Sequence, residues 1–265
     1  MSWENEVKEI KKRLKLIQAM GGKEKIKRQY DAGRTTVRER IFALVDKGSF
    51  KEIGRLTGLS EYNEDGTLKS LMAVNSVIGH ALINKVPTVI YGDDFTIRGG
   101  AGDAAIYEKM ITAERFANEY RMPLIRLIEG TGGGGSVKSI EADGYTYVPA
   151  NPGWDWVVSN MATIPVVSLG LGPVAGLGAA RLVSSHYSVI VKKMSQVFVA
   201  GPPVVNRLGE TVTKESLGGS EIHGKNGVID EVADSEADAL AKAKKFLSYF
   251  PSSTYEIPKK IKNND

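Results

Sequence analysis

Residues 164–180 read IPVVSLGLGPVAGLGAA. The first part, IPVVSL, is apolar and of strand length; the pattern predicts a turn through Gly172-Pro173, after which small residues open a helix. A buried strand that passes through glycines into a helix is the repeating unit of an α/β layer. The first-turn amides of such a helix have no intrahelical acceptor and lie at the positive end of its dipole, so the segment can face an anion. Close packing of a helix on a sheet asks for the same small residues, and one segment can serve both purposes.

Upstream, MPLIRLIEG at 122–130 has the same apolar character and runs into GTGGGG at Gly130 to Gly135. The segment that follows holds Tyr145, Tyr147, Trp154 and Trp156, which is not linker composition, so the glycine run reads as an ordered site. Glycine has no Cβ, which lets a substrate oxygen approach main-chain N–H groups directly. Carbonyl chemistry passing through an oxyanion or enolate is the chemistry most in need of such a cradle. Gly130, Gly132 and Gly135 formally satisfy G-x-G-x-x-G, but a four-glycine run makes that match cheap and it falls in the middle of the chain. No phosphate-binding loop of the Walker type exists, because Gly22-Lys23 and Gly224-Lys225 are not followed by Ser or Thr.

Further out, LMAVNSVIG, ALINKVPTVIYG, YSVIVKK and QVFVAG are β-rich, while 104–120, 154–162, 177–185 and 236–250 have helical spacing or composition. Alternation of this kind predicts an α/β core with a largely parallel sheet. Trp3, Val7, Ile10, Leu14 and Ile17 mark one face of a helix stopped by Gly21-Gly22, and a second helix is expected from Thr36 to Val45 with Val37, Ile41 and Leu44 inward. The stretch from Arg55 to Ser70 reads as a loop containing the turn Asn63-Glu64-Asp65-Gly66.

With 42% hydrophobic and 25% charged residues over 265 positions, the chain has a globular profile and length for one large domain. A net charge of +4 is concentrated near both ends, at Lys8 to Arg28 and Lys259 to Lys262, without the interleaved aromatics of a nucleic-acid surface. There is no cysteine, which excludes disulfides, thiolate metal sites and cysteine nucleophiles and fits a reducing, cytoplasmic setting. No apolar signal core or membrane-length stretch is present. His80, His186 and His223 lack metal-ligand spacing, and no G-x-S-x-G elbow or acid/base pair stands out.

Five segments carry a resemblance: GRTTVRERIFALVDKGSFKEIG, YGDDFTIRGGAGD, GPVAGLGAA, VFVAGPPVVNRLGETVTKESLGG and EIHGKNGVID. In this order they resemble the amino-terminal half of biotin-dependent acyl-CoA carboxyltransferases, the β subunits of propionyl-CoA and methylcrotonyl-CoA carboxylases and the related decarboxylase subunits. The resemblance implies an α/β, crotonase-like (ClpP/crotonase) spiral of repeated ββα units spanning 51–250, with an N-terminal helical extension at 1–50 and a tail at 251–265. It implies transfer of a carboxyl group from carboxybiotin, carried on a separate domain, to the α-carbon of a short-chain acyl-CoA through an enolate held by backbone amides. The released biotin ureido anion is expected to take the α-proton, which accounts for the missing protein base.

By the same resemblance, the enolate-stabilising amides fall at Gly132, Gly133 and Gly134, and Gly99, Gly100, Ala101, Gly176 and Leu177 line the CoA thioester site. Charge placement adds Arg34, Arg38, Arg40 and Arg98 as basic positions for the CoA phosphates, with surface salt bridging as the alternative. The expected partners are acyl-CoA, a carboxyltransferase C-terminal half that holds biotin and is absent from this sequence, biotin carboxyl carrier protein, biotin carboxylase and further copies of the chain. No metal, nucleic acid or membrane is expected. The missing zinc ribbon points to the propionyl- or methylcrotonyl-like branch. Two other readings stand beside this one: a self-sufficient crotonase-fold hydratase, isomerase or decarboxylase, and a non-catalytic assembly module.

Overall fold

The computed structural model describes residues 2–130, 141, 144–145 and 153–258. Ten strands and ten helices are seen among them. The chain opens with α1 (Glu4–Gln18), α2 (Lys23–Asp31) and α3 (Val37–Leu44), then runs through β1 (Lys51–Ile53), β2 (Gly58–Tyr62), β3 (Leu68–Ala73), β4 (Ser76–Ile83) and β5 (Val86–Asp93). It continues with α4 (Tyr107–Glu119), β6 (Leu124–Gly130), α5 (Trp154–Thr163), β7 (Val166–Ala175), α6 (Leu177–Val183), β8 (Tyr187–Val191) and β9 (Gln196–Phe198). Short helices α7 (Pro202–Val205), α8 (Lys214–Gly218) and α9 (Ser220–His223) lead to β10 (Glu231–Ala233) and α10 (Glu236–Leu247). Among these residues no helix is long and apolar enough to cross a membrane.

The main sheet has the order β1-β4-β5-β6-β7-β8-β10, with β9 alongside the far end of β7. β1, β4 and β5 pair antiparallel, and every pairing from β5 to β10 is parallel. Both faces are covered, as a parallel sheet requires. Ile90, Ile125, Leu127, Val167 and Leu169 pack with α3 and α10 on one face. Val89, Leu124 and Val166 meet Ala113 and Ala117 of α4 on the other.

β6 shows how alternation sorts its charges. Arg126 and Glu129 stand three residues apart in a strand buried at every position, so they point to opposite faces. Arg126 forms a bidentate pair with Glu114 of α4, Nε to Oε1 at 2.8 Å and Nη2 to Oε2 at 2.9 Å. Glu129 meets Arg40 of α3, Nη1 to Oε2 at 2.5 Å.

Burial alone would raise the Glu114 carboxyl, but Arg126, Arg181 and Asn160 outweigh it and hold the group at about 2, against an ordinary 4.5. The unfolded chain therefore takes up this proton first as the pH falls. Stability from Glu114 is fully present above pH 4.5 and is lost between about 4.5 and 2, on the order of 3 kcal/mol by linkage. Urea unfolding at stepped pH should show this fall; a wild-type curve that stays flat across the window would contradict it.

Two expectations are corrected. The stretch from Arg55 to Ser70 is not all loop: β2 and β3 pair as an antiparallel hairpin around Asn63–Gly66, where Asn63 N–H donates to Thr67 O and Gly66 N–H to Asn63 O. Polar residues on both faces, Ser60, Glu61, Lys69 and Ser70, mask the strand alternation, and the hairpin is held by α1, whose buried Ile17 lies under Gly58. The second correction concerns Gly172-Pro173, which does not turn the chain. β7 continues through it to Ala175 because β9 pairs with Pro173–Ala175, and the turn falls at Gly176, φ 56° and ψ −122°. Gly172 has a packing role instead: a Cβ there would lie 2.5 Å from the Glu129 carboxylate.

Candidate functional site

β5, β6 and β7 are adjacent and parallel, so their carboxyl ends open on the same edge of the sheet, where α/β proteins place their ligands. After β5 the chain folds into a tight loop. Asp94 Oδ1 accepts from Thr96 N–H at 3.0 Å and Thr96 Oγ1 at 2.5 Å, and Ile97 N–H donates to Asp94 O at 3.1 Å. Asn75 Nδ2 donates to Ala101 O at 2.8 Å and ties the far side. Gly21 closes on the loop from behind, its N–H donating to Thr96 Oγ1 at 2.9 Å, and any Cβ there would overlap Thr96 O.

Within this loop Arg98, Gly99 and Gly100 have φ of 48°, 62° and 69°. Three successive left-handed residues bend the loop onto the end of β6. A Cβ on Gly100 would sit 2.8 Å from Glu129 O and 3.0 Å from Gly130 Cα. One on Gly130, φ 130°, would sit 2.9 Å from Gly100 Cα, and one on Gly178 would sit 3.1 Å from Gly130 O. Gly130 therefore stands between Gly100 and Gly178, and three glycine segments distant in sequence meet backbone to backbone.

Beside Gly100 and Gly178 lies a cleft of about 30 Å³ that is also lined by Asn75, Ser76, Tyr91, Asp93 and Arg181. Asp93 Oδ1 accepts from Tyr91 Oη at 2.6 Å, and its Oδ2 accepts from Glu129 N–H at 3.0 Å. Burial raises the Asp93 carboxyl above its ordinary range despite the opposing Arg181 and the Tyr91 hydrogen bond. Behind Ser76, burial lowers Lys109 to about 8, and its Nζ donates to Ser76 O at 2.8 Å. A more open hollow of about 400 Å³ lies at the opposite edge of the sheet, around Ile164, Pro165, Phe246 and Phe250. Its lining is mostly apolar and its His186 is engaged with Val166 and Met161, whereas the small cleft gathers Asn75, Asp93 and Arg181 and is the candidate site.

Of the residues singled out in the sequence, Gly99, Gly100 and Ala101 form the loop, and Arg98 is exposed at its tip. Gly176 and Leu177 form the turn into α6, but Gly176 N–H donates to Phe198 O at 3.0 Å, and the cleft is lined one residue on, by Gly178. Gly132, Gly133 and Gly134 lie outside the described residues. Arg34, Arg38 and Arg40 are taken by the fold itself. Arg34 Nε lies 2.9 Å from Glu129 Oε1, Arg38 is bidentate to Glu52 at 2.9 and 3.0 Å, and Arg40 bridges Glu129 and Glu236. Salt bridging thus holds for these three, in buried rather than surface pairs.

All three histidines serve structural contacts: His186 is bonded to Val166 and Met161, His223 to Val197, and His80 stacks on Phe116. Sequence reading missed Tyr91, Asp93, Asn75 and Arg181. The first two sit inside the quoted YGDDFTIRGGAGD, and the signal for Arg181 was a lone cation in the small-residue helix that begins at Leu177.

The carboxyl transferase domain model matches residues 28–265, and the chain belongs to that family. It is 31% identical over 250 residues to the mitochondrial methylcrotonoyl-CoA carboxylase beta chain of Dictyostelium discoideum, covering 91% of this chain and 41% of that one. It is 28% identical to the methylmalonyl-CoA decarboxylase subunit alpha of Veillonella parvula, covering 93% and 48%. The crystal structure of transcarboxylase 12S, a hexamer with methylmalonyl-coenzyme A bound, superposes with TM-score 0.81 and 26% identity over 100% of this chain and 51% of that one. The fold is thus the crotonase-like carboxyltransferase fold, and the chain spans about half the length of the relatives it matches.

Proposed function

We propose that this chain is the acyl-CoA-binding half of a biotin-dependent carboxyltransferase of the acetyl, propionyl or methylcrotonyl class. The observation that carries this reading is the meeting of Gly100, Gly130 and Gly178 at the carboxyl ends of β5, β6 and β7. Carboxybiotin, held by a partner half, supplies the carboxyl group. This chain's part is to hold the thioester and to stabilise the enolate oxygen with main-chain amides that need no reorganisation as charge develops. The glycine run following Gly130 is the expected source of those amides.

Isolated, the chain is expected to bind acetyl- and propionyl-CoA with little or no carboxyl transfer. Titration calorimetry tests this, and no heat or displacement at millimolar thioester would end the proposal. Arg98, exposed at the loop tip, is proposed to meet a CoA phosphate. Arg98→Ala should weaken CoA binding about threefold to tenfold at low ionic strength, with less effect at high salt. Equal affinity of the two proteins at low salt would remove Arg98 from the site.

One observation favours a second reading. Tyr91 and Asp93 place a hydrogen-bonded pair of titratable groups inside the cleft, a protein-borne route for a proton that needs no biotin. Turnover of an acyl-CoA without biotin or a partner chain would decide for it.

A further inference from the structure

Glu114 has two guanidinium neighbours and one carboxylate to share between them. Arg126 takes it bidentately and places Nη1 on Arg181 O and Ser184 O, at 3.1 and 2.7 Å, so its hydrogen-bonding capacity is well used. Asn160 Nδ2 adds a third donor to Glu114 Oε2 at 3.0 Å. Arg181 is left with Nη2 at 3.1 Å from the already occupied Oε1.

The guanidinium also meets the Tyr91 hydroxyl, while its Nε is buried without a partner. The side chain is 5% exposed, with its guanidinium 4.1 Å from the centroid of the Tyr91 ring. A guanidinium carries five N–H donors and is always charged, so Arg181 is a buried cation with donors to spare. It forms one wall of the cleft under Gly100 and Gly178. The second carboxyl within reach, Asp93, is engaged by Tyr91 and by the Glu129 amide.

We infer that Arg181 is a specificity-determining residue that reads a carboxylate on the acyl group, so that the site distinguishes a carboxyacyl thioester from its uncarboxylated counterpart. This rests on the acyl-CoA reading above. The volume agrees: about 30 Å³ admits about two waters, the space of a small planar anion rather than of an acyl chain. A carboxylate there would take the unused Nε–H and Nη–H donors in the paired geometry that guanidinium groups favour. Asn75 and Ser76 complete the polar wall.

The test is binding of malonyl-CoA, acetyl-CoA and free malonate to the full chain by calorimetry, in wild type, Arg181→Met and Arg181→Lys. The expected result is malonyl-CoA at least about tenfold tighter than acetyl-CoA in wild type. That preference should be lost in Arg181→Met and partly kept in Arg181→Lys, read in each variant as the ratio of its own malonyl-CoA and acetyl-CoA affinities. Free malonate should compete with malonyl-CoA only weakly; if it binds as tightly as malonyl-CoA, the site is one for free dicarboxylates and the inference fails. Equal wild-type affinity for the two thioesters overturns the inference while leaving the acyl-CoA reading intact. Failure of both thioesters to bind overturns the two together. The wild-type comparison needs no variant, so it stands even if Arg181→Met does not fold.

Discussion

Gly130→Ala is expected to abolish measurable acyl-CoA binding and to lower the unfolding temperature, and Gly100→Ala should do the same. At Gly130 a methyl group would lie 2.9 Å from Gly100 Cα and 3.1 Å from Gly99 O, and at Gly100 it would lie 2.8 Å from Glu129 O. Those atoms belong to the backbone and cannot rotate away. The loop would have to lift off the end of β6, which opens the seam on which the cleft depends. Both positions also have positive φ, 130° and 69°, which adds a conformational cost of about 1–3 kcal/mol for a residue with a Cβ.

Gly99→Ala is the internal control. It shares the left-handed backbone, but its added methyl would meet only the Phe95 ring at 3.8 Å, an ordinary contact. Its cost should therefore stay near the conformational part alone, about 1–2 kcal/mol, with thioester binding kept within a few-fold. Melting temperature and calorimetric affinity for the three variants check the ranking. If Gly99→Ala and Gly130→Ala lose binding equally, backbone contact between the loops is not what shapes the site.

The same contrast shows what was legible in the sequence. Apolar, β-rich runs located β4 to β9, and the helix from Thr36 was readable from the inward spacing of Val37, Ile41 and Leu44. The glycine segments were visible as candidate sites because strands led into them. That they meet was not visible, since Gly100, Gly130 and Gly178 come together only through the β5-β6-β7 order of the sheet. The charged residues were harder. Arg34, Arg38, Arg40 and Glu39 crowd one short segment and look like a solvated helix face, yet Arg40 is 1% exposed. Only its partner Glu129, 89 residues away inside an apolar strand, explains it. α2 was missed because KEKIKRQYD has little apolar patterning, and its one buried residue, Gln29, is there to donate to Glu129 Oε2 at 2.7 Å.

That network supports a second large prediction. Arg40 Nη1 meets Glu129 Oε2 at 2.5 Å, its Nε and Nη2 meet Glu236 Oε1 at 2.9 and 2.5 Å, and Nη2 also donates to Leu171 O at 2.8 Å. One side chain thus joins α3, β6, β7 and the start of α10. Arg40→Met removes the cation and leaves Glu129, with no exposed side-chain surface, facing only Gln29 and an Arg34 contact that is off line for a hydrogen bond. Loss of one member of a buried pair costs about 3–5 kcal/mol, a large part of the 5–15 kcal/mol typical of a folded domain. Glu236 suffers less because it is 11% exposed and can turn to water. The double substitution Arg40→Met with Glu129→Met should recover part of the loss, since it removes the buried carboxylate left without Arg40, although Arg34 then gives up its contact with Glu129. The variant also carries a functional signature: the Glu129 amide holds Asp93 at 3.0 Å, so loosening β6 at Glu129 should weaken thioester binding as well as stability. Urea unfolding of the cycle measures the coupling, and a cost below about 1 kcal/mol for Arg40→Met would mean that packing alone, not this ion network, fixes the strand end on which the glycines meet.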